Sequence, residues 1–322
     1  MVALNTKSPQ PGRSGIVILA AILVCLPFIL PYAVLPAEIV IFGLFALAFD
    51  ILFGHTGLVS FGHAAFFGAG AYTAVLMSIH LRTNILLDLL GGIIAAMALA
   101  GVIGGLAIQL RGLYLAMVTL ASAQLLYFIA NQMTDLTGGD NGLTGVRVPL
   151  TLGPLSLRFD APLAYYFLVA TCFFTSFWLL RRLANSPFGS VLHAIRENEE
   201  RARTVGYNVQ WFKLLAFVLS GAFAGMAGAL YGMLLKFAYL DLLYWTTSGQ
   251  VVMMTLVGGA GTLYGPLLGA ALMITISDIV AKYWLSWPII LGAIFVACVL
   301  FARGGMWEGV RKLRERIGAA KH

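Results

Sequence analysis

The chain has 322 residues, of which 60% are hydrophobic and only 10% charged. Soluble domains carry about 25% charged residues, so this composition excludes a soluble enzyme and describes one polytopic membrane domain over 1–322. The formal charge of +7 would suit nucleic acid if it were pooled on one surface, but its placement follows a membrane topology, and no nucleic-acid partner is expected.

A helix needs about 20 mostly apolar residues to cross a bilayer. Such runs recur at roughly 16–35, 37–53, 58–80, 85–109, 112–133, 161–180, 212–234, 244–259, 264–282 and 285–302. The predicted fold is all-α, a polytopic integral membrane helical bundle of about ten transmembrane helices. Lys7 and Arg13 precede the first run as in a signal peptide, but the run is long and others follow, which predicts an uncleaved span. Cys25, Cys172 and Cys298 sit inside apolar runs without metal-ligand or disulfide spacing, so they read as small packing residues and no metal site is expected.

Further along, Gly101 and Gly105, Gly221 and Gly225, Gly228 and Gly232, and Gly265 and Gly269 form GxxxG pairs. This spacing lets helices approach closely in lipid. The segment from Asp135 to Asp160 contains Thr137-Gly138-Gly139-Asp140-Asn141-Gly142-Leu143-Thr144-Gly145, rich in residues that accept positive φ. It reads as a turn-rich connection or as a docking surface for an external solute-binding protein. The eighth run, 244–259, opens with Thr246, Thr247, Ser248 and Gln250 and ends at Gly258-Gly259-Ala260-Gly261. That pattern predicts a short or broken helix, tolerated at membrane depth only when buried in protein or lining a cavity. The tail, 303–322, places Met306, Val310, Leu313 and Ile317 on one helical face. Arg311, Lys312, Arg314 and Arg316 fall mostly off that face, a basic amphipathic pattern suited to anionic membrane lipid.

Ten crossings put both termini and the segment 181–211 on one side. Fifteen of the 20 basic residues then share that side, which marks it as cytoplasmic by the positive-inside rule. Both termini are therefore expected on the cytoplasmic side.

The insert from Arg181 to Trp211 is the one long polar block. Ser186 suits an N-cap and Pro187 the first helical position. Leu192, Ile195, Glu199, Ala202 and Val205 follow at steps of three and four. The pattern predicts one cytoplasmic helix of about five turns ending near Gly206, with a stripe that needs a partner surface in this protein or another.

Glu200-Arg201-Ala202-Arg203-Thr204-Val205-Gly206 resembles the E-A-A-x3-G pattern of ABC importer permeases, with Arg201 in place of one alanine. Together with Ser186-Pro187-Phe188-Gly189 and Ala194-Ile195-Arg196-Glu197-Asn198-Glu199 it resembles the coupling region of branched-chain amino-acid importers. The blocks Gly57 to Ala64, Arg111 to Met117, Thr137 to Gly145 and Gly258 to Pro266 are similar to the LivM-type permease subunit. The resemblance covers about 35–305. It implies a second homologous permease subunit, two cytoplasmic ABC ATPase subunits, and a periplasmic or lipid-anchored solute-binding protein that delivers an amino acid. It implies ATPase coupling through Ser186, Pro187, Phe188, Gly189, Ile195, Arg196, Glu199, Glu200, Ala202 and Gly206. The chain has no GxxxxGK[ST] phosphate loop, since Gly57 to Gly62 is followed by His63. ATP is therefore expected on partner subunits, with no cofactor or catalytic residue here.

A zwitterionic solute needs donors and acceptors on its route. Thr119, Tyr127 and Asn131 share a face of the fifth run with Ala116 and Ala123, Gln124 lies beside them, and Ser60 and His63 share a face of the third. These residues either line the route or bond helices together, and His63 fits packing better than ligation. Asp50 and His55 read as residues of the cytoplasmic boundary, where solvation makes charge cheap. Asp278 and Lys282 have the spacing of a helical ion pair. The alternative is an ion-coupled secondary transporter of small polar solutes. Such proteins mark their pathway with intramembrane acids, and the candidates here, Asp50 and Asp278, both fall close to span ends, which disfavours this alternative.

Overall fold

The computed structural model describes residues 13–30, 34–81, 83–146, 151–152, 155–159, 161–283, 287–301 and 305–309. In chain order come α1 (Arg13–Ile29), α2 (Val34–Asp50) with a π-helical turn Ile51–Thr56, and α3 (His63–Leu76) with a π-helical turn Met77–Leu81. Next are α4 (Ile85–Ala107), α5 (Leu113–Gln132) and the short α6 (Thr134–Thr137). Three strands follow, β1 (Leu143–Thr144), β2 (Thr151–Leu152) and β3 (Leu155–Arg158). The second half holds α7 (Pro162–Ala184), α8 (Pro187–Glu197), α9 (Glu199–Thr204), α10 (Val209–Leu235), β4 (Phe237–Ala238), α11 (Trp245–Gly258), α12 (Gly265–Ala281) and α13 (Trp287–Phe301).

Each of the ten apolar runs overlaps a helix, but length and composition do not bear out the expected count of about ten transmembrane helices. Among the described residues six helices are long and apolar enough to cross a membrane: Val34–Thr56, His63–Leu81, Ile85–Ala107, Leu113–Gln132, Pro162–Ala184 and Val209–Leu235. Gly15–Ile29, Gly265–Ala281 and Pro288–Cys298 are shorter apolar stretches. The chain is thus an all-α, multi-pass membrane protein.

α2 is apolar around its whole circumference, the pattern of a helix with no solvent face, and it forms the centre, 89% buried along its span. It is packed by α7, α10, α11 and α12. On another side α10 lies against α3 and α4, and glycine sets how close they come. A Cβ at Gly228 would strike the Phe67 carbonyl, one at Gly70 the Gly225 carbonyl, and one at Gly221 the Ala100 side chain. Gly258 and Gly265 do the same between α11 and α12. One expected pair departs from this rule. Gly105 faces open space and Gly101 meets only Val218 at 3.9 Å, while Gly104 takes the close contact, 2.9 Å from Phe217. The i,i+4 spacing was satisfied at 101 and 105, but the partner helix crosses at 104.

The third run also starts later than its hydropathy implied. Gly57, at φ 74°, ends the π-helical turn of α2, and 57–62 is irregular backbone before α3 begins at His63. Ser60 is therefore in a loop, not on a helical face with His63.

α11 has fourteen residues and stops at Gly259, φ 115°, as the polar start and glycine end required. The connection from 134 to 159 is turn-rich, with positive φ at Gly138, Gly139, Gly142 and Gly145. It also carries short strands: β1 pairs antiparallel with β4, and β2 with β3. The basic tail lies outside the described residues apart from 305–309.

Candidate functional site: a polar insert and the helix ends beneath it

The insert is two helices where one was expected. Asn198 leaves the helical region (φ −159°, ψ 102°), and its side chain caps α9 by accepting from the Arg201 N–H at 3.0 Å. An Asn followed by two acidic residues is an N-cap signal with a favourable first turn, so the break was readable at Asn198-Glu199-Glu200.

The Ser186-Pro187-Phe188-Gly189 block forms the joint with α7. The Ser186 hydroxyl accepts from the Gly189 N–H and donates to the Leu183 carbonyl at 2.7 Å, with Pro187 at the first helical position. The Phe188 ring stacks on Phe212, 5.7 Å between centroids. A Cβ on Gly189 would strike the Ala184 carbonyl, which explains the glycine. Gly206 ends α9 at φ 101°.

The apolar stripe is buried within this same chain. Val191, Ile195, Ala202 and Val209 form a small core with Phe212, and Leu192 joins the main core. Val205, counted with the stripe, is 71% exposed instead, because α9 ends one residue earlier. Tyr207 and Trp211 are also exposed.

Charge fastens the insert to the helix ends. Glu199 accepts from Lys213 Nζ at 2.7 Å, with Lys213 only 2% exposed. Glu199 also faces Arg203 at 3.3 Å and Arg111, just before α5, at 3.4 Å. Arg111 donates to Glu200 Oε1 at 2.7 Å. That hydrogen bond, with the Arg111 charge, holds the Glu200 carboxyl below its ordinary range, and the same bond with the Glu199 charge raises the Arg111 guanidinium.

Arg196 donates to the Gly54 carbonyl in the π-helical turn of α2. Beside it Asp50 is buried, 1% exposed, and its Oδ1 accepts from the Gly261 N–H at 2.7 Å. His55 Nδ1 is 4.0 Å from Oδ2. Asp50 is therefore not a solvated boundary residue. The turn after α11 folds over it, a non-local contact with no trace in the surrounding sequence. His55, partly exposed, keeps the boundary position.

The route candidates divide into two groups. Ser60 and Thr119 meet at the start of α3. The Gly62 N–H donates to Ser60 Oγ at 3.2 Å, and the Phe61 N–H to Thr119 Oγ1 at 3.1 Å. Ser248 on α11 completes the arrangement by accepting from the Ala64 N–H at 2.8 Å. These hydroxyls satisfy donors that irregular backbone would otherwise leave unpaired. Farther along α5, Tyr127 packs on Tyr244, 5.0 Å between rings, Asn131 is half-buried, and Gln124 Oε1 is buried without a hydrogen-bond partner. The inward face of α5 is the predicted one. Its other face exposes Met117, Leu125 and Phe128.

His63 is fully buried, bonded to Ser220 at 2.8 Å and flanked by Phe49 and Phe66, a packing role. Asp278 and Lys282 pair at 2.7 Å. Among the described residues no cluster of His, Cys, Asp and Glu could hold a metal.

The family model described as "Branched-chain amino acid transport system / permease component" matches residues 35–303. The "High-affinity branched-chain amino acid transport system permease protein LivM" of Escherichia coli (strain K12) is 27% identical over 303 residues, covering 87% of this chain and 71% of that protein. A "Probable branched-chain amino acid transport permease protein LivM" of Methanocaldococcus jannaschii is 26% identical over 59% of this chain and 56% of its own length. The "Autoinducer 2 import system permease protein LsrC" of Klebsiella pneumoniae is 31% identical over 33% of this chain and 31% of its own. No solved structure matches. The chain belongs to the branched-chain amino-acid transport permease family, LivM type, a family of transport components rather than enzymes.

Proposed function

We propose that this chain is a transmembrane subunit of an ATP-driven importer in a bacterial inner membrane, moving branched-chain or related amino acids inward by alternating access. It pairs with a second homologous permease. Two cytoplasmic ABC ATPase subunits bind the nucleotide, and an external solute-binding protein delivers the substrate. Both termini and the insert are cytoplasmic.

The observation that carries this reading is the capped insert, clamped to α2 by Arg196 and to α5 and α10 by Glu199 and Glu200. A lever must be rigid where it joins the bundle and exposed where it is pushed. Gly189, Ile195 and Ala202 give it rigidity, while Glu197, Arg201, Arg203 and Val205 are exposed to a partner. The solute would pass along the inward face of α5, beside Ser60, Thr119, Gln124, Tyr127 and Asn131.

The test is uptake of labelled leucine, isoleucine and valine into vesicles holding the complete complex and its binding protein. ATP-dependent uptake is expected, and scrambling 187–204 should abolish it. Undiminished uptake with the scrambled insert defeats the proposal. The buried Asp50 keeps the ion-coupled alternative in play, and uptake by this chain alone, driven by an ion gradient without ATP, would establish it.

A further inference from the structure

Three separate segments converge at the end of α2: its last turn at Asp50 running on into the π-helical turn at Gly54, Arg196 of α8, and the turn around Gly261 that follows α11. Gly54 has no space for a side chain. A Cβ there would strike the Asp50 carboxylate and lie 2.5 Å from the Gly261 nitrogen. Arg196 also lies against the turn, its Nη1 3.1 Å from where a Cβ on Gly261 would be. The arginine sits at the carbonyl end of α2, where the helix dipole favours a cation. The aspartate accepts from the Gly261 N–H on the same side of the helix. At its other end α11 holds Ser248 against the start of α3, next to the Thr119 contact with the same loop.

We propose that Asp50 and Arg196 form a latch that registers the insert on the glycine turn ending α11, so that displacement of the insert is delivered to α11 and, through Ser248, to the start of α3. Asp50 and Arg196 are positioning residues in this scheme. It rests on the proposed coupling role of the insert. The physical requirement for such transmission is an unbroken chain of bonded or packed groups with two arrangements. The chain here runs Arg196, Gly54, Asp50, Gly261, α11, Ser248, Ala64. Asp50 serves as the buried hinge because its carboxylate bonds α2 directly to the turn.

The experiment uses the complete complex in vesicles and records ATP hydrolysis and amino-acid uptake together. It compares wild type with Arg196→Met, Asp50→Ala, Asp50→Asn and the double variant Asp50→Ala with Arg196→Met. The single variants should hydrolyse ATP yet move about tenfold fewer solute molecules per ATP, an effect within the usual range for linked sites. The double variant should lose no more than either single one. Asp50→Asn keeps an oxygen for the Gly261 N–H and should stay within about twofold of wild type. A purely structural role would lower assembly and ATP hydrolysis together and leave the ratio unchanged. Arg196 lies at the surface, so Arg196→Met tests the latch even if Asp50→Ala fails to assemble. Unchanged uptake per ATP in Arg196→Met overturns the latch, as do losses that multiply in the double variant. If wild type shows no ATP-driven uptake, the proposed function itself is wrong and the latch falls with it.

Discussion

Glu199 and Glu200 are adjacent in sequence and face different surroundings. Glu199 neutralises the buried ammonium of Lys213, while Glu200 meets an exposed Arg111. Removing one member of a buried pair leaves an uncompensated charge and costs about 3 kcal/mol or more. Glu199→Ala should therefore lower the melting temperature of the detergent-solubilised protein clearly, and Glu200→Ala far less, as expected of exposed pairs. The Glu200 bond has its own pH signature. Its folded carboxyl is held below the ordinary range, so the stabilisation is complete above the unfolded carboxylate value and is lost as pH falls through the lowered folded one. A spectroscopic distance between labels on α9 and the start of α5 should stay constant through neutral and mildly acidic pH and lengthen only below the usual carboxylate range. The Arg111→Gln variant should lack that transition. Neither distinction was legible in the sequence, because Lys213 and Arg111 reach the insert from segments far along the chain.

Helices were legible wherever the signal was local. Runs of apolar residues found the helical segments, and Ser186 with Pro187 found the start of α8. The cap signal at Asn198 was outweighed by a stripe that continues in phase across it: Ile195 and Ala202 are both buried, in one small core, on two different helices. Asn198→Ala should remove about 1 kcal/mol of capping and raise protection from hydrogen exchange at 198–199 if the two helices then fuse. Glycine spacing was similarly ambiguous, since only contact with a second helix decides which glycine matters. Gly228→Ala drives a methyl into the Phe67 carbonyl and should destabilise by about 1–3 kcal/mol, as overpacking does. Gly105→Ala meets nothing and should leave thermal stability unchanged. A matched pair of melting curves checks both.

For the whole molecule, the face carrying the insert also holds the start of α1, where Ile16 lies with Arg181 and Arg182 around a groove, and Gly305, which touches Gly259. The proposed orientation predicts that a cysteine placed at Val205 is labelled by an impermeant reagent only after the membrane is opened, whereas one at Tyr283, 88% exposed, reacts in intact cells. The reverse pattern would invert the topology. What hydropathy could not show is depth: which polar residues lie at membrane level depends on how the loops fold back, and Asp50 was read as a solvated boundary residue for that reason. α11 carries a consequence of this kind. At 1.5 Å per residue its fourteen residues span about 21 Å, against roughly 30 Å of hydrocarbon. α11 alone falls short of such a layer by about 9 Å, so the polar groups at its two ends lie closer together than those of the long helices, and a zwitterionic amino acid passing beside it would be without polar neighbours for a shorter distance.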